Sequence, residues 1–209
     1  MSNGTAYITG SCVIRQHQVY NNGVLRWQDT PGTALPEFLR NGYDHFSGQY
    51  PKFHKMDHLS RLGWLAAEVL LQAAEVEDHL PGQVAIVLSN RSTSLDTDAR
   101  YYNTVKDIPS PALFVYTLPN IVIGEICIRH GFKGEHAFFT TEGFDAELVR
   151  SYAQLLLDTN AATACICGWV EVMDGAYEAA LYFAERREVS GAPLFTVENV
   201  KKIYAGNMR

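Results

Sequence analysis

The sequence predicts a layered α-β-α sandwich, and three stretches carry that expectation. AYITGSCVI (6–14) is rich in β-branched residues, and QVAIVLSN (83–90) is continuously apolar, as strands buried on both faces of a sheet are. Between them, MDHLSRLGWLAAEVLLQAAEVED (56–78) repeats apolar residues at spacings of three and four. Strands and helices that alternate in this way lead to a sheet covered by helices, with right-handed crossovers.

Taken in order, AYITGSCVI is the first strand. Residues 16–55 mix Gly, Pro, Asn and aromatics and read as one long irregular loop, of the kind that covers a site or binds something. The helix of 56–78 takes Asp57 as its cap, with Leu59, Leu62, Leu65 or Ala66, Val69 and Ala73 as a stripe wide enough for burial between layers. Pro81-Gly82 ends it, and QVAIVLSN is the second strand. Residues 91–118 are polar and read as part helix, part loop.

PNIVIGEICIRHGFKGE (119–135) has the β-branched content of a strand. A helix is predicted instead, from Pro119 in the first turn, Glu125 and Arg129 four apart, and Gly131 as the stop. HAFFTT (136–141) is a strand and FDAELVRSYAQLLLDT (144–159) an amphipathic helix. NAATACICGWVEV (160–172) is a buried strand, and GAYEAALYFAERRE (175–188) runs antiparallel to it after a turn at Met173-Asp174-Gly175. FTVENVKKIY (195–204) is a last helix with Thr196 as cap and Phe195 and Val200 as a hydrophobic staple.

The chain has 209 residues, 47% apolar and 19% charged, an ordinary balance for a folded soluble protein. A chain of this length buries roughly 70% of its unfolded surface and needs no metal or disulfide staple. A net charge of -6 argues against a general nucleic-acid binder. Cys12, Cys127, Cys165 and Cys167 lie in apolar runs and are expected to be buried and reduced. The opening MSNGTAYITG lacks the pattern of a signal peptide, and no apolar run approaches the roughly 18 residues of a membrane span, so a cytoplasmic protein is expected.

The corner Thr140-Thr141-Glu142-Gly143-Phe144 lies between a strand end and a helix start, where the helix's positive end acts on whatever stands there. A thiol in such an elbow ionises and becomes a nucleophile. A carboxylate is already ionised and attacks carbonyls poorly. Glu142 either complements the helix dipole, worth about 0.3–1 kcal/mol, or serves as a general base. Thr141, Gly143 and Phe144 beside it, and Asn120, are candidate binding residues. His54, Asp57 and His58 have metal-like spacing but are better explained by a helix cap and exposed polar side chains. Arg91, Ser92, Thr93 and Ser94 follow a strand end, where α/β proteins place ligands. Lys52, His54, Lys55 and Arg61 form a basic cluster suited to an acidic carrier protein. No metal site and no cofactor is expected.

YITGSCVI, FHKMDHLSRLGWLAAEVLL, VAIVLSN, LPNIVIGEICIRHGFKGE, FFTTEGFDAELVRSYAQLLLD and TACICGWVEVMDG resemble, in order and spacing, landmarks of the N-terminal half of the β-ketoacyl synthase (3-oxoacyl-[acyl-carrier-protein] synthase) family. The resemblance implies half of a thiolase-like fold around a mixed, mostly parallel five-stranded sheet, with residues 1–209 as a single domain. In that family a Thr-Ala-Cys segment ends the third strand, and its Cys carries the acyl chain. Stepping back from CGWVEV puts Thr140-Thr141-Glu142 on that segment, so Glu142 stands at the nucleophile's position without its chemistry. The family's catalytic His or Asn partners come from its C-terminal half, and all seven His of this chain precede Glu142.

What the resemblance implies is a non-catalytic partner subunit in fatty-acid or polyketide-type biosynthesis. Such a subunit would be a homodimer, or a heterodimer with a full-length ketosynthase, with acyl carrier protein as a further partner. The alternative is an enzyme acting on acyl- or malonyl-carrier-protein thioesters, by condensation or decarboxylation, with Glu142 or a partner chain completing the site.

Overall fold

Strands that are apolar along their whole length belong where both faces of a sheet are covered. In the computed structural model, which describes residues 4–46, 48–72 and 74–206, they lie at the centre. Among the described residues seven strands form one sheet: β1 (Tyr7–Arg15), β2 (Gln18–Asn21), β3 (Val24–Gln28), β4 (Val84–Asn90), β5 (His136–Thr140), β6 (Ala164–Met173) and β7 (Ala176–Glu185). Their order is β3-β2-β1-β7-β6-β4-β5. β4 pairs in parallel with β5 and β6, and the remaining ladders are antiparallel. β6 and β7 form the expected hairpin, with Asp174 and Gly175 both at positive φ in its turn.

Side chains alternate along each strand, so β4 sends Val84, Ile86 and Leu88 to one face and Ala85 and Val87 to the other. The first face is covered by α1 (Leu35–Phe46), α2 (His58–Leu71) and α5 (Ile121–His130). The second is covered by α6 (Ala146–Asp158) and α7 (Val197–Tyr204). α3 (Leu95–Val105) and the single turn α4 (Pro111–Phe114) lie in the connection between β4 and α5.

The layered α/β sandwich therefore holds, with seven strands where five are expected. Two of six ladders are parallel where a mostly parallel sheet is expected, because hairpins join β1 to β2, β2 to β3 and β6 to β7, and β7 runs antiparallel to β1. The two additional strands and α1 come from residues 16–55. Asn22 and Gly23, both at positive φ, turn the chain between β2 and β3, a two-residue hairpin that its short, half-polar strands disguise. α1 buries Leu35, Phe38, Leu39, Gly42 and Tyr43, a helical stripe interrupted on paper by Pro36, Asn41 and Gly42.

The other elements are present as expected, except that the helix expected to run over 56–78 up to Pro81-Gly82 stops at Leu71, and single 3₁₀ turns at Val76–Asp78 and Pro81–Gln83 lead on to β4. Asp57 caps α2, its Oδ1 accepting from Ser60 N at 2.9 Å, and Thr196 caps α7. Leu59, Leu62, Leu65, Ala66 and Val69 are buried, while Ala73 lies outside the described residues. Gly131 closes α5 at φ 74 with its N–H on the Cys127 carbonyl, which only a residue at ease with left-handed backbone does cheaply.

Glu125 and Arg129 do not pair with each other. Glu125 accepts from Tyr116 Oη at 3.0 Å and meets Lys52 Nζ at 2.8 Å, while Arg129 donates to Glu68 at 2.8 and 3.2 Å. Partners from neighbouring elements outcompete the one four residues away, because both carboxylates are buried. Burial works to raise the Glu68 carboxyl, but hydrogen bonds from His130 and Arg129 outweigh it and hold it below the ordinary carboxylate range. Arg129 also lies over the rings of Tyr50 and Trp64, at 5.3 and 5.8 Å, which ties the chain before α2 to the α2–α5 interface.

α2 and α5 approach each other at Gly63, where a β-carbon would overlap a methyl of Val122. Because Val is stiff at χ1, Gly63→Ala is expected to destabilise by about 1–3 kcal/mol in urea unfolding. Val122→Ala in the same chain is expected to recover part of that loss. Strictly additive losses would refute the close approach.

Candidate functional site

The carboxyl ends of β4, β5 and β6 gather most of the chain's candidate residues, as strand ends do in α/β sheets. β5 is an edge strand, paired on one side with β4. After Thr140 the chain turns: Thr141 N donates to the Asn90 carbonyl at 2.9 Å, and Thr141 Oγ1 donates to the Gly143 carbonyl at 2.9 Å. Glu142 and Gly143 are exposed. Phe144 turns inward onto the second face, its ring centroid 4.4 Å from that of Tyr204 and 6.2 Å from that of Tyr182.

Capping of α6 belongs to Asp145, whose Oδ1 accepts from Glu147 N and Leu148 N, both at 3.0 Å. Glu142 stands three residues earlier, and among the described residues its carboxylate takes no hydrogen bond or ion pair. The capping hydrogen bonds at the start of α6 are thus made by Asp145 and not by Glu142. Thr141, Gly143 and Phe144 share the corner with Glu142. Asn120 is exposed at the head of α5, a helix of the opposite face, and its side chain makes no capping hydrogen bond.

No imidazole is directed at this corner. His58 lies on Asp96 at 3.2 Å, His79 on Glu185 at 3.1 Å and His130 on Glu68 at 3.0 Å. His17 meets the Thr33 carbonyl at 2.8 Å, His45 stacks on Trp27, and His54 packs edge-on against Tyr43. His136 begins β5, at the opposite end of that strand. The thiols are no better placed. Cys12, Cys165 and Cys167 are buried and Cys127 half-buried, and burial pushes the thiols of Cys12, Cys127 and Cys165 up, away from ionisation.

The loop after β4 is closed by the chain itself. Glu171 on β6 accepts from the consecutive backbone amides of Arg91 and Ser92 at 2.7 and 3.2 Å, occupying the kind of nest that would seat an external anion. Asn90 brackets Thr93, its side chain bonded to both the N–H and the carbonyl of that residue, and holds Thr93 at φ 51. Ser94 Oγ is engaged by Asp98 and the Thr117 carbonyl. Glu171 is the residue of this loop that sequence reasoning passed over. The signal for Glu171 was present, a lone carboxylate within the buried strand CGWVEV.

The remaining clusters are structural. Asp57 accepts from Ser60 N and from Thr97 Oγ1 at 2.7 Å. His58 is half-buried rather than exposed; burial lowers its pKa, and Arg100 adds to the effect. Among the described residues no group of three or more His, Cys, Asp or Glu is placed to hold a metal ion. In the basic cluster, Lys52 is taken by Glu125, and Arg61 donates to the carbonyls of Phe53 and His54 at 3.1 and 2.6 Å. Among the described residues no helix is long and apolar enough to cross a membrane.

No protein-family model and no curated protein matches this chain. Solved structures do. The ishigamide ketosynthase/chain length factor superimposes with a TM-score of 0.66 at 20% identity, over 91% of this chain and 64% of that one. A structure of a type II polyketide synthase acyl-carrier protein in complex with its ketosynthase gives 0.61 at 15% identity, over 88% and 63%. A chain from a ketosynthase in complex with its chain length factor, from Xenorhabdus doucetiae, gives 0.62 at 14% identity, over 98% and 92%. The fold is therefore the thiolase-like fold of ketosynthases and chain length factors. This chain spans 64% and 63% of the length of the first two chains and 92% of the third.

If Glu171 fills the loop as an internal anion, Glu171→Ala leaves two amides without an acceptor. The expected result is a loss of roughly 1 kcal/mol together with faster hydrogen exchange at Arg91 and Ser92, with Glu171→Gln losing less. Unchanged exchange at those two amides would refute the role.

Proposed function

We propose that this chain is a non-catalytic ketosynthase-like subunit that pairs with a complete ketosynthase in polyketide-type or fatty-acid assembly. One observation carries the reading: the corner after β5 holds an exposed carboxylate, Glu142, with every described imidazole engaged elsewhere and no thiol beside it. Covalent acyl transfer needs an activated nucleophile with a base in reach, and this corner supplies neither. The closed loop at Arg91–Ser94 supports the same reading, since the neighbouring amides are already spent on Glu171.

The structure offers a surface for such a partner. β5 leaves one side of its backbone unpaired, and an edge strand of this kind pairs readily with another chain. Leu95, Tyr102, Val105, Ile108, Phe114, Val115 and Leu118, in the α3–α4 region, are large apolar residues left exposed. The near-equal length of the matched chain in the Xenorhabdus doucetiae complex supports a short subunit working beside a second protein. Acyl carrier protein would reach the assembly through the ketosynthase, because Lys52 and Arg61 are spent on internal contacts and His54 and Lys55 alone of the basic cluster stand exposed.

The test is reconstitution with the full-length ketosynthase that co-purifies with this chain from its native cell. Product formation on malonyl-carrier substrate is expected to require both proteins, and intact-mass analysis is expected to find acyl adducts on the ketosynthase alone. Glu142→Gln is expected to leave the turnover of the complex within about twofold, whereas loss of a general base costs roughly 100-fold or more. A loss of that size with pairing intact, or an acyl adduct on this chain, would overturn the non-catalytic reading.

A further inference from the structure

An amphipathic helix ordinarily holds its place by burying one face. α3 buries almost none of itself: of residues 95–115, which include α4, Thr97 alone is buried. Leu95, Tyr102 and Val105 are exposed. Within the segment, the rings of Tyr101 and Phe114 pack with centroids 5.5 Å apart, and Ser110 N donates to Thr104 Oγ1 at 3.0 Å. α3 and α4 therefore hold to each other, and a segment with so little burial opens locally at a far lower cost than the core.

Attachment of α3 to the body of the protein is polar. Among the described residues, two side-chain hydrogen bonds leave α3 for elements outside residues 91–118, and both reach the start of α2. Thr97 Oγ1 donates to Asp57 Oδ2 at 2.7 Å, and His58 Nδ1 meets Asp96 Oδ2 at 3.2 Å. The first joins a hydroxyl to a carboxylate that also caps Ser60 N. The second contains an imidazole, whose charge changes between about pH 5 and 8.

The surroundings of His58 oppose a proton on it. From α3 it faces Asp96 and Arg100, and from α2 it faces Arg61, with Asp57 at the cap. Arg100 Nη1 is buried, lies 3.9 Å from Asp96 Oδ2 and has no hydrogen-bond partner among the described residues. Burial and then Arg100 also work against the charge on Arg61. Tyr116 faces Asp57 and Arg61 and stays neutral, its hydroxyl pushed up by burial and by Glu125, which is itself paired with Lys52. Two guanidinium groups and two carboxylates thus balance around a neutral imidazole, and a proton on His58 adds a third cation. Asp96 favours that proton, but burial, Arg100 and Arg61 outweigh it and lower the His58 pKa from its ordinary 6.5. An imidazole that is harder to protonate when docked favours the docked form above that ordinary value. The advantage is lost as the pH falls from there through the depressed value.

We propose that the His58–Asp96 contact is an acid-labile latch on the α3–α4 segment, which protonation of His58 frees from α2 and deprotonation docks again. The latch does not depend on pairing with a ketosynthase. Its consequence rests on that reading: α3 and α4 carry exposed apolar residues offered to the partner, so acid loosens the surface on which the partner would sit.

The test is amide hydrogen exchange on this chain alone, with protection factors measured at pH 7.5 and pH 5.5. Amides of α6, a helix of the opposite face with no His in it, serve as the reference. Protection of α3 relative to α6 is expected to fall by about threefold or more at the lower pH. His58→Gln, which keeps a polar side chain beside Asp96, is expected to abolish the fall with an unchanged circular dichroism spectrum. Arg100→Gln is expected to shrink it. Protection of α3 that is constant or rises as the pH falls would overturn the proposal, as would a fall that persists in His58→Gln or is undiminished in Arg100→Gln. No ketosynthase is present, so failure here and failure of the proposed function are separate results.

Discussion

Burial of both faces of β4 and β6 is the constraint from which the rest of the structure follows. These strands carry apolar side chains without interruption, and alternation sends half of them each way, so helices must lie above and below. Parallel pairing of β4 with β5 and with β6 then requires crossovers, and α5 and α6 enter as their helical parts on opposite faces. Once the chain has made those crossovers, β5 is left at the edge. The corner that follows β5 is consequently both rigidly held and open to solvent.

That position sets the geometry of the corner. Geometry of the reactive kind is in place: a strand end, a turn tied to β4 through Thr141, and a helix start capped by Asp145. What stands there is a carboxylate in water, with its neighbours' amides used internally by Glu171. On the other face of the sheet the buried carboxylates are committed, Glu68 to Arg129 and His130 and Glu125 to Lys52 and Tyr116. Among the described residues, the Glu142 carboxylate is the one ionisable group at this corner without a hydrogen-bond or ion-pair partner, with no imidazole or thiol beside it.

The two ends of the sheet differ in a way that bears on assembly. At one end, β5 presents an unpaired backbone edge. At the other, the β2–β3 hairpin extends the sheet, and a groove of about 710 Å³ lies over β1 and β2. This chain spans 64% and 63% of the length of two solved ketosynthase-type chains that share its fold. Exposed backbone at a sheet edge is one means by which a sheet recruits another protein.

The sequence by itself determined the elements whose signals are local. The stripe and Asp57 cap of α2, Pro119 and Gly131 bounding α5, the Asp174-Gly175 hairpin and the Thr196 cap all depend on residues within a few positions of one another, and each is legible for that reason. α1 and the β2–β3 hairpin were hidden because Pro36, Asn41, Gly42 and short polar strands imitate a loop, and only packing on Phe38, Trp27 and Val19 resolves them. Tertiary structure alone decided that β5 lies at the edge, that Arg129 pairs with Glu68 instead of Glu125, and that Glu171 seats in the amides of Arg91 and Ser92. Each of those contacts joins residues far apart in sequence, such as the 80 positions between Arg91 and Glu171, and no local pattern reports a partner that distant.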